Sequence, residues 1–167
     1  MIVKLRDLEN IRKKNKDLKI VLLKGSFDLL HVGHIYMIEQ AKKYGDILVV
    51  IVKPNLAIKS KGDDRPIIDE KDRAIQIDSI KYVDYTILAN EEIENFNYSN
   101  IKELQTERYC RIVSALKPDI LVHPVGHKNP EKLDNLYKQL NTKIIEIERN
   151  KNKSSTTQII NKIRNIK

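Results

Sequence analysis

The chain is poor in the residues that build stapled, metal-clasped or membrane-spanning proteins. A single cysteine, Cys110, in 167 residues excludes an intrachain disulfide and a cysteine-based zinc site. It falls in a helical pattern, where a lone thiol is expected to pack as a small hydrophobe. Tryptophan is missing and the aromatic share is 5%, which argues against a nucleic-acid-binding module. Five glycines and five prolines leave no low-complexity linker, and no internal repeat is visible. No apolar run approaches the roughly 20 residues that span a bilayer. The opening MIVKLRDLENIRKKNKD has no apolar core, so no secretory signal is expected. A soluble, cytoplasmic protein without a membrane or nucleic-acid partner is the expectation.

Charge, by contrast, is plentiful. Lys+Arg total 31 against 23 Asp+Glu, a net charge of +8. Such a balance attracts phosphate on nucleic acid, membranes or small substrates, but it also arises when lysine is simply over-used. The length suits one domain with its own core.

Short β-branched runs alternate with helical patterns. Strands are expected at 19–24, 46–52, 83–88, 119–123 and 143–148. Helices are expected over 32–43, 69–81, 100–117 and 131–140, and from Ser155 to the C-terminus. Asp69 is a candidate N-cap. The first 18 residues read as an amphipathic helix with Leu5, Leu8 and Ile11 inward. The polar stretch 89–99 reads as a mobile excursion, and 89–117 as a lengthened helical one. This order predicts an α/β protein, a single domain built on a Rossmann-like, doubly wound, five-stranded parallel sheet. Such sheets bind ligands beyond the carboxyl ends of their strands.

The first strand ends in Gly25-Ser26-Phe27-Asp28-Leu29-Leu30-His31-Val32-Gly33-His34. Gly25 lets the chain turn and a ligand approach the backbone. His31 and His34, three apart, share a face at the first turn of the following helix. Gly33 leaves room between them. A helix start offers unpaired N–H groups to phosphate, and two imidazoles add directional donors. A zinc pair would sit four apart with a third ligand, and a dinucleotide fingerprint would need more glycine.

GSFDLLHVGH resembles, at every fixed position, the G-x-F-D-x-x-H-x-G-H signature of the nucleotidyltransferase superfamily named for its HIGH motif. Class I tRNA synthetases carry a similar motif in much longer chains. The superfamily's second signature, an I-S-T-T turn opening the last helix, is matched by Ser154-Ser155-Thr156-Thr157 with serine in the aliphatic place. Between them, KGDDRPIIDEKDR resembles the K-G-x-x-R-P stretch and arginine helix of heptose 1-phosphate adenylyltransferases. GSFDLLHVGH and IKYVD (80–84) resemble glycerol-3-phosphate cytidylyltransferases equally well.

The resemblance implies transfer of a nucleotidyl group from an NTP, ATP or CTP, to a phosphorylated sugar or polyol, with release of pyrophosphate. An ADP-heptose type of adenylyl transfer is the leading expectation. Glycerol-3-phosphate cytidylyl transfer and FAD synthetase-like chemistry are alternatives. It implies catalytic roles for His31, His34 and Lys61. Gly25, Ser26, Phe27, Asp28, Gly33, Lys59, Arg73, Gly126, Ser155, Thr156 and Thr157 are the implied nucleotide site, with Asp28 orienting the loop or helping to place magnesium. Arg65, His123, His127, Lys128 and Arg149 are implied near the acceptor. Mg2+ is expected through the phosphates, and a homodimer from the relatives' habit. One loop departs from both relatives. After the fourth strand stands HPVGHK, where the heptose enzymes have K-G-G-D-Y and the cytidylyltransferases M-G-D-D-W.

Overall fold

The computed structural model describes residues 1–59, 62, 64–90, 100–148 and 155–166. Its centre is β2 (Ile20–Gly25) beside β3 (Ile47–Val52). Both are near-continuous apolar runs, as strands covered on both faces must be. β4 (Tyr85–Leu88) and β1 (Ile2–Val3) extend the sheet on one side, and β5 (Ile120–Pro124) and β6 (Lys143–Ile147) on the other. All pairs are parallel, in the order β1-β4-β3-β2-β5-β6.

The sheet therefore has six strands, not five. The added strand is β1, paired to Thr86 and Ile87 and continued by Thr86 N–H donating to the Met1 carbonyl at 3.0 Å. Two residues are too short to show an alternation in the sequence. The helix expected over 1–18 is accordingly divided into β1, a 3-10 turn (Leu5–Asp7) and α1 (Leu8–Lys14). The other helices are α2 (Val32–Lys42), α3 (Asn55–Ile58), α4 (Glu70–Asp78), α5 (Ile101–Leu116), α6 (Glu131–Gln139) and α7 (Thr156–Arg164). The short α3 has no counterpart in the sequence reading.

Side chains alternate across each strand, and two cores result. Leu22, Val49 and Leu121 pack under α1, α5 and α6 with Tyr109, Val113 and Leu133. Leu23, Val50 and Val122 pack on the opposite face under α2 and α4 with Ile38 and Ile77. Each buried aliphatic side chain contributes about 1.5–3 kcal/mol before the cost of ordering it. Within 89–117, α5 is the crossover that covers the first face. Asn100 caps it by accepting from Glu103 N–H at 2.8 Å, and Lys117 ends it at φ 47°. Residues 91–99 lie outside the described residues.

The chain runs from β2 outward to β3 and β4, then returns to place β5 on the other flank of β2. This reversal opens a crevice at the carboxyl ends of β2 and β5.

Candidate active site

A cleft of about 930 Å3 occupies that crevice. Its floor is the segment after β2. Gly25 is required there by packing: a Cβ would stand 2.6 Å from Cζ of Phe27. Phe27 itself is buried with φ 52°, and Leu29 has φ 50°. Two left-handed residues in one loop are held only where the surroundings over-determine them, and Asp28 between them supplies much of the hold. Asp28 is 1% exposed. Its Oδ1 accepts from the N–H groups of Ile67 and Ile68, both at 3.0 Å, and its Oδ2 lies 3.2 Å from Nε of Arg65. This side chain orients the loop; it has no exposed oxygen to offer a magnesium ion.

His31 caps α2, its Nδ1 accepting from Gly33 N–H at 3.1 Å. With Nδ1 an acceptor, the neutral ring carries its proton on Nε2. Burial pushes the His31 pKa below its ordinary 6.5, so the ring is a neutral donor at pH 7. His34 stacks on it, ring centroids 3.8 Å apart and planes 24° from parallel, and the edge of Phe27 supports it at 5.4 Å. The motif glycines, phenylalanine and aspartate thus fix two imidazoles side by side on the cleft wall.

More of the cleft wall comes from residues 155–164, distant in sequence. Ser155 and Gln158 form a reciprocal cap at the start of α7. Thr156 Oγ1 donates to the Asp28 carbonyl at 2.7 Å, tying the two signatures together. Thr156 has spent its proton on that bond. Ser155 Oγ accepts from Gln158 N–H at 3.3 Å and keeps its own proton to donate. Thr157 and Arg164 line the same wall, and Arg164 pairs with Asp64 at 2.6 Å.

Several expected residues fall elsewhere. Arg73 is fully buried behind the floor and does not line the cleft. Its guanidinium donates to the carbonyls of Ile68 at 2.9 Å and Lys53 at 2.9 Å, to the Ser26 carbonyl, and to Asn55 Oδ1 at 2.8 Å. It is a positioning residue for three loops. Lys59, Lys128 and Gly126 are exposed and do not line the cleft. Gly126 serves a turn at φ 77°. Lys61, Arg149 and Ser154 lie outside the described residues. Ser26, Gly33, Arg65, His123 and His127 do line the cleft.

The family model described as cytidylyltransferase-like matches residues 22–162. The chain belongs to the cytidylyltransferase-like family, a family of nucleotidyltransferases. Among curated relatives, the bifunctional protein HldE of Helicobacter pylori (strain ATCC 700392 / 26695) is 35% identical over 162 residues, 96% of this chain and 31% of that protein. HldE of Desulfatibacillum aliphaticivorans is 37% identical over 160 residues, 95% of this chain and 29% of that protein. The chain thus spans under a third of the length of these relatives. Among solved structures, a lipopolysaccharide core biosynthesis protein from Thermoplasma volcanium GSS1 aligns with TM-score 0.58 at 29% identity, covering 79% of this chain and 98% of that one. A pantoate-beta-alanine ligase from Francisella tularensis shares the fold at TM-score 0.57 and 20% identity, over 89% and 66% of the two chains.

Two cleft residues of this family member lie outside its sequence motifs. Lys24 and Lys53 stand at the ends of β2 and β3 and face the cleft. The signal for them is position: each is a charge at the carboxyl end of a buried strand.

Among the described residues no helix is long and apolar enough to cross a membrane, and no three His, Cys, Asp or Glu side chains gather as a metal site.

Proposed function

We propose that the chain transfers an adenylyl group from ATP to a sugar phosphate, releasing pyrophosphate. The observation that carries this reading is the joining of the two signatures, His31 and His34 after β2 and the turn that opens α7, by the Thr156–Asp28 bond. The likeness to HldE over nearly the whole chain supports the choice of ATP and a heptose 1-phosphate. Cytidylyl transfer to glycerol 3-phosphate is the alternative, supported by GSFDLLHVGH and IKYVD.

In this reaction an oxygen of the acceptor phosphate attacks the α-phosphorus. The bond from that phosphorus to the bridging oxygen breaks, and pyrophosphate leaves. A phosphate monoester with a second pKa near 6 is already mostly a dianion at pH 7, so no general base is needed. Catalysis then consists of positioning and charge stabilisation. The Nε2–H of His31 and the ring of His34 meet the charge developing on the α-phosphate. Ser155 O–H and the first-turn N–H groups of α7 hold the departing pyrophosphate. Magnesium would enter with the nucleotide as Mg·NTP and would supply charge neutralisation on the phosphates. A homodimer in the cytoplasm is the setting we propose.

A panel of four NTPs against heptose 1-phosphate, glycerol 3-phosphate and FMN, followed by pyrophosphate release, tests the reading. The expected result is release with ATP and the heptose phosphate. Preference for CTP with glycerol 3-phosphate selects the alternative, and release with no pair rejects both.

A further inference from the structure

Strand alternation sends Lys24 to the same face as Leu22, over the ring of Tyr109 at 5.2 Å. Lys53, directly after β3, follows Ile51 to that face, and His123 follows Leu121. The His127 ring stands 5.2 Å from that of His123. Three parallel strand ends thus deliver a cluster of cations and imidazoles to the α5/α6 side of the cleft. The motif loop with His31 and His34, and α7 bonded to it through Thr156, lie toward the other face.

Lys24 Nζ donates to Asn129 Oδ1 at 2.6 Å, and Asn129 in turn donates to Asp134 Oδ1 at 2.9 Å. Glu146 lies 3.7 Å from Nδ1 of His123. From α5 the cluster faces Tyr109 and Cys110. Burial and the neighbouring Lys53 pull the Lys24 pKa down to about 8, against the pull of Asp134 and Cys110. Burial, Lys24, Lys53 and His123 bring His127 to about 4. Cations pressed together in a cleft disfavour their own charged forms, and an anion between them removes the penalty.

We propose that Lys24, Lys53 and His127 form the subsite for the acceptor's phosphate. This rests on the reaction proposed above and adds the residues that meet the nucleophile. In-line displacement puts the entering and leaving oxygens on opposite sides of the α-phosphorus. With pyrophosphate held by α7 on one side, the acceptor enters from the other. Lys24 and Lys53 are the two lysines among the described residues that line the cleft, and both are on that side.

A first test needs no turnover. Inorganic phosphate is titrated into the full chain at pH 7 while the His127 ring signals are followed by NMR. Phosphate bound beside the ring should shift the His127 signals saturably. Lys24→Met should weaken phosphate binding about 10-fold or more, the loss of one buried charge-assisted contact. No His127 response in the native chain overturns the proposal.

A second test uses steady-state rates. Lys24→Met should raise the acceptor KM about 10- to 100-fold and leave the NTP KM in place. The lowered Lys24 pKa means the ammonium is charged below about 8 and lost above it. The acceptor KM should therefore be flat near pH 7 and climb above pH 8. Lys24→Arg, charged throughout, should abolish that climb. A change confined to the NTP KM, or a climb that persists in Lys24→Arg, overturns the proposal. Phosphate binding as described with no transferase activity in the panel leaves the subsite standing and removes the reaction.

Discussion

His34→Ala should lower the rate of pyrophosphate release by about 10²- to 10³-fold, the usual loss when one preorganised donor to a developing negative charge is removed. The effect should fall on kcat more than on the KM for NTP, because the donor matters most once charge builds in the transition state. The fold should survive. His34 lies on the cleft wall, and its loss removes a stack on His31 and an edge contact with Phe27, together about 1–2 kcal/mol. Thermal unfolding monitored by circular dichroism separates the two effects. A variant that folds normally and turns over at the native rate removes His34 from the mechanism.

Arg73→Met should act in the reverse way, on stability first. The guanidinium is fully buried and gives hydrogen bonds to the carbonyls of Ser26, Lys53 and Ile68 and to Asn55 Oδ1. Methionine fills similar volume but leaves these acceptors buried without a donor. The expected cost is about 3–5 kcal/mol, a fall in Tm of roughly 6–20 °C for a chain of this size. Arg73→Lys should recover little, since one ammonium cannot reproduce a planar fork that reaches three backbone segments. Denaturant melts of the three proteins provide the check. An Arg73→Met chain as stable as the native one, with a raised KM for substrate, would return Arg73 to the ligand site.

These two residues also mark where the sequence was readable. His31 and His34 were legible because the chemistry is local: one decapeptide at one strand end holds the turn glycine, the loop-fixing aspartate and both imidazoles. Thr156 and Ser155 were legible only through pairing with that motif, since alone they read as a helix cap. The resemblance puts Arg73 at the nucleotide, whereas its guanidinium lies buried on carbonyls. Its place beside Ala74, four residues before Ile77, already put it on the buried stripe of its helix. Lys24 and Lys53 were hidden among the many lysines, and only the pairing of β2 with β3 brings them together. The five long strands announced themselves by apolar runs; β1 did not, because two residues next to charged neighbours carry no period.

The α7 wall has a thermal consequence. None of its residues is buried, and Ile163 is 58% exposed. It is docked through the Thr156–Asp28 bond and the solvent-screened Arg164–Asp64 pair, while β2 and β3 are locked in the sheet centre. Elements held this lightly open at a small fraction of the global unfolding free energy. As temperature rises, α7 should detach from the cleft before the sheet unfolds, and amide hydrogen exchange in α7 compared with β2 and β3 would show it.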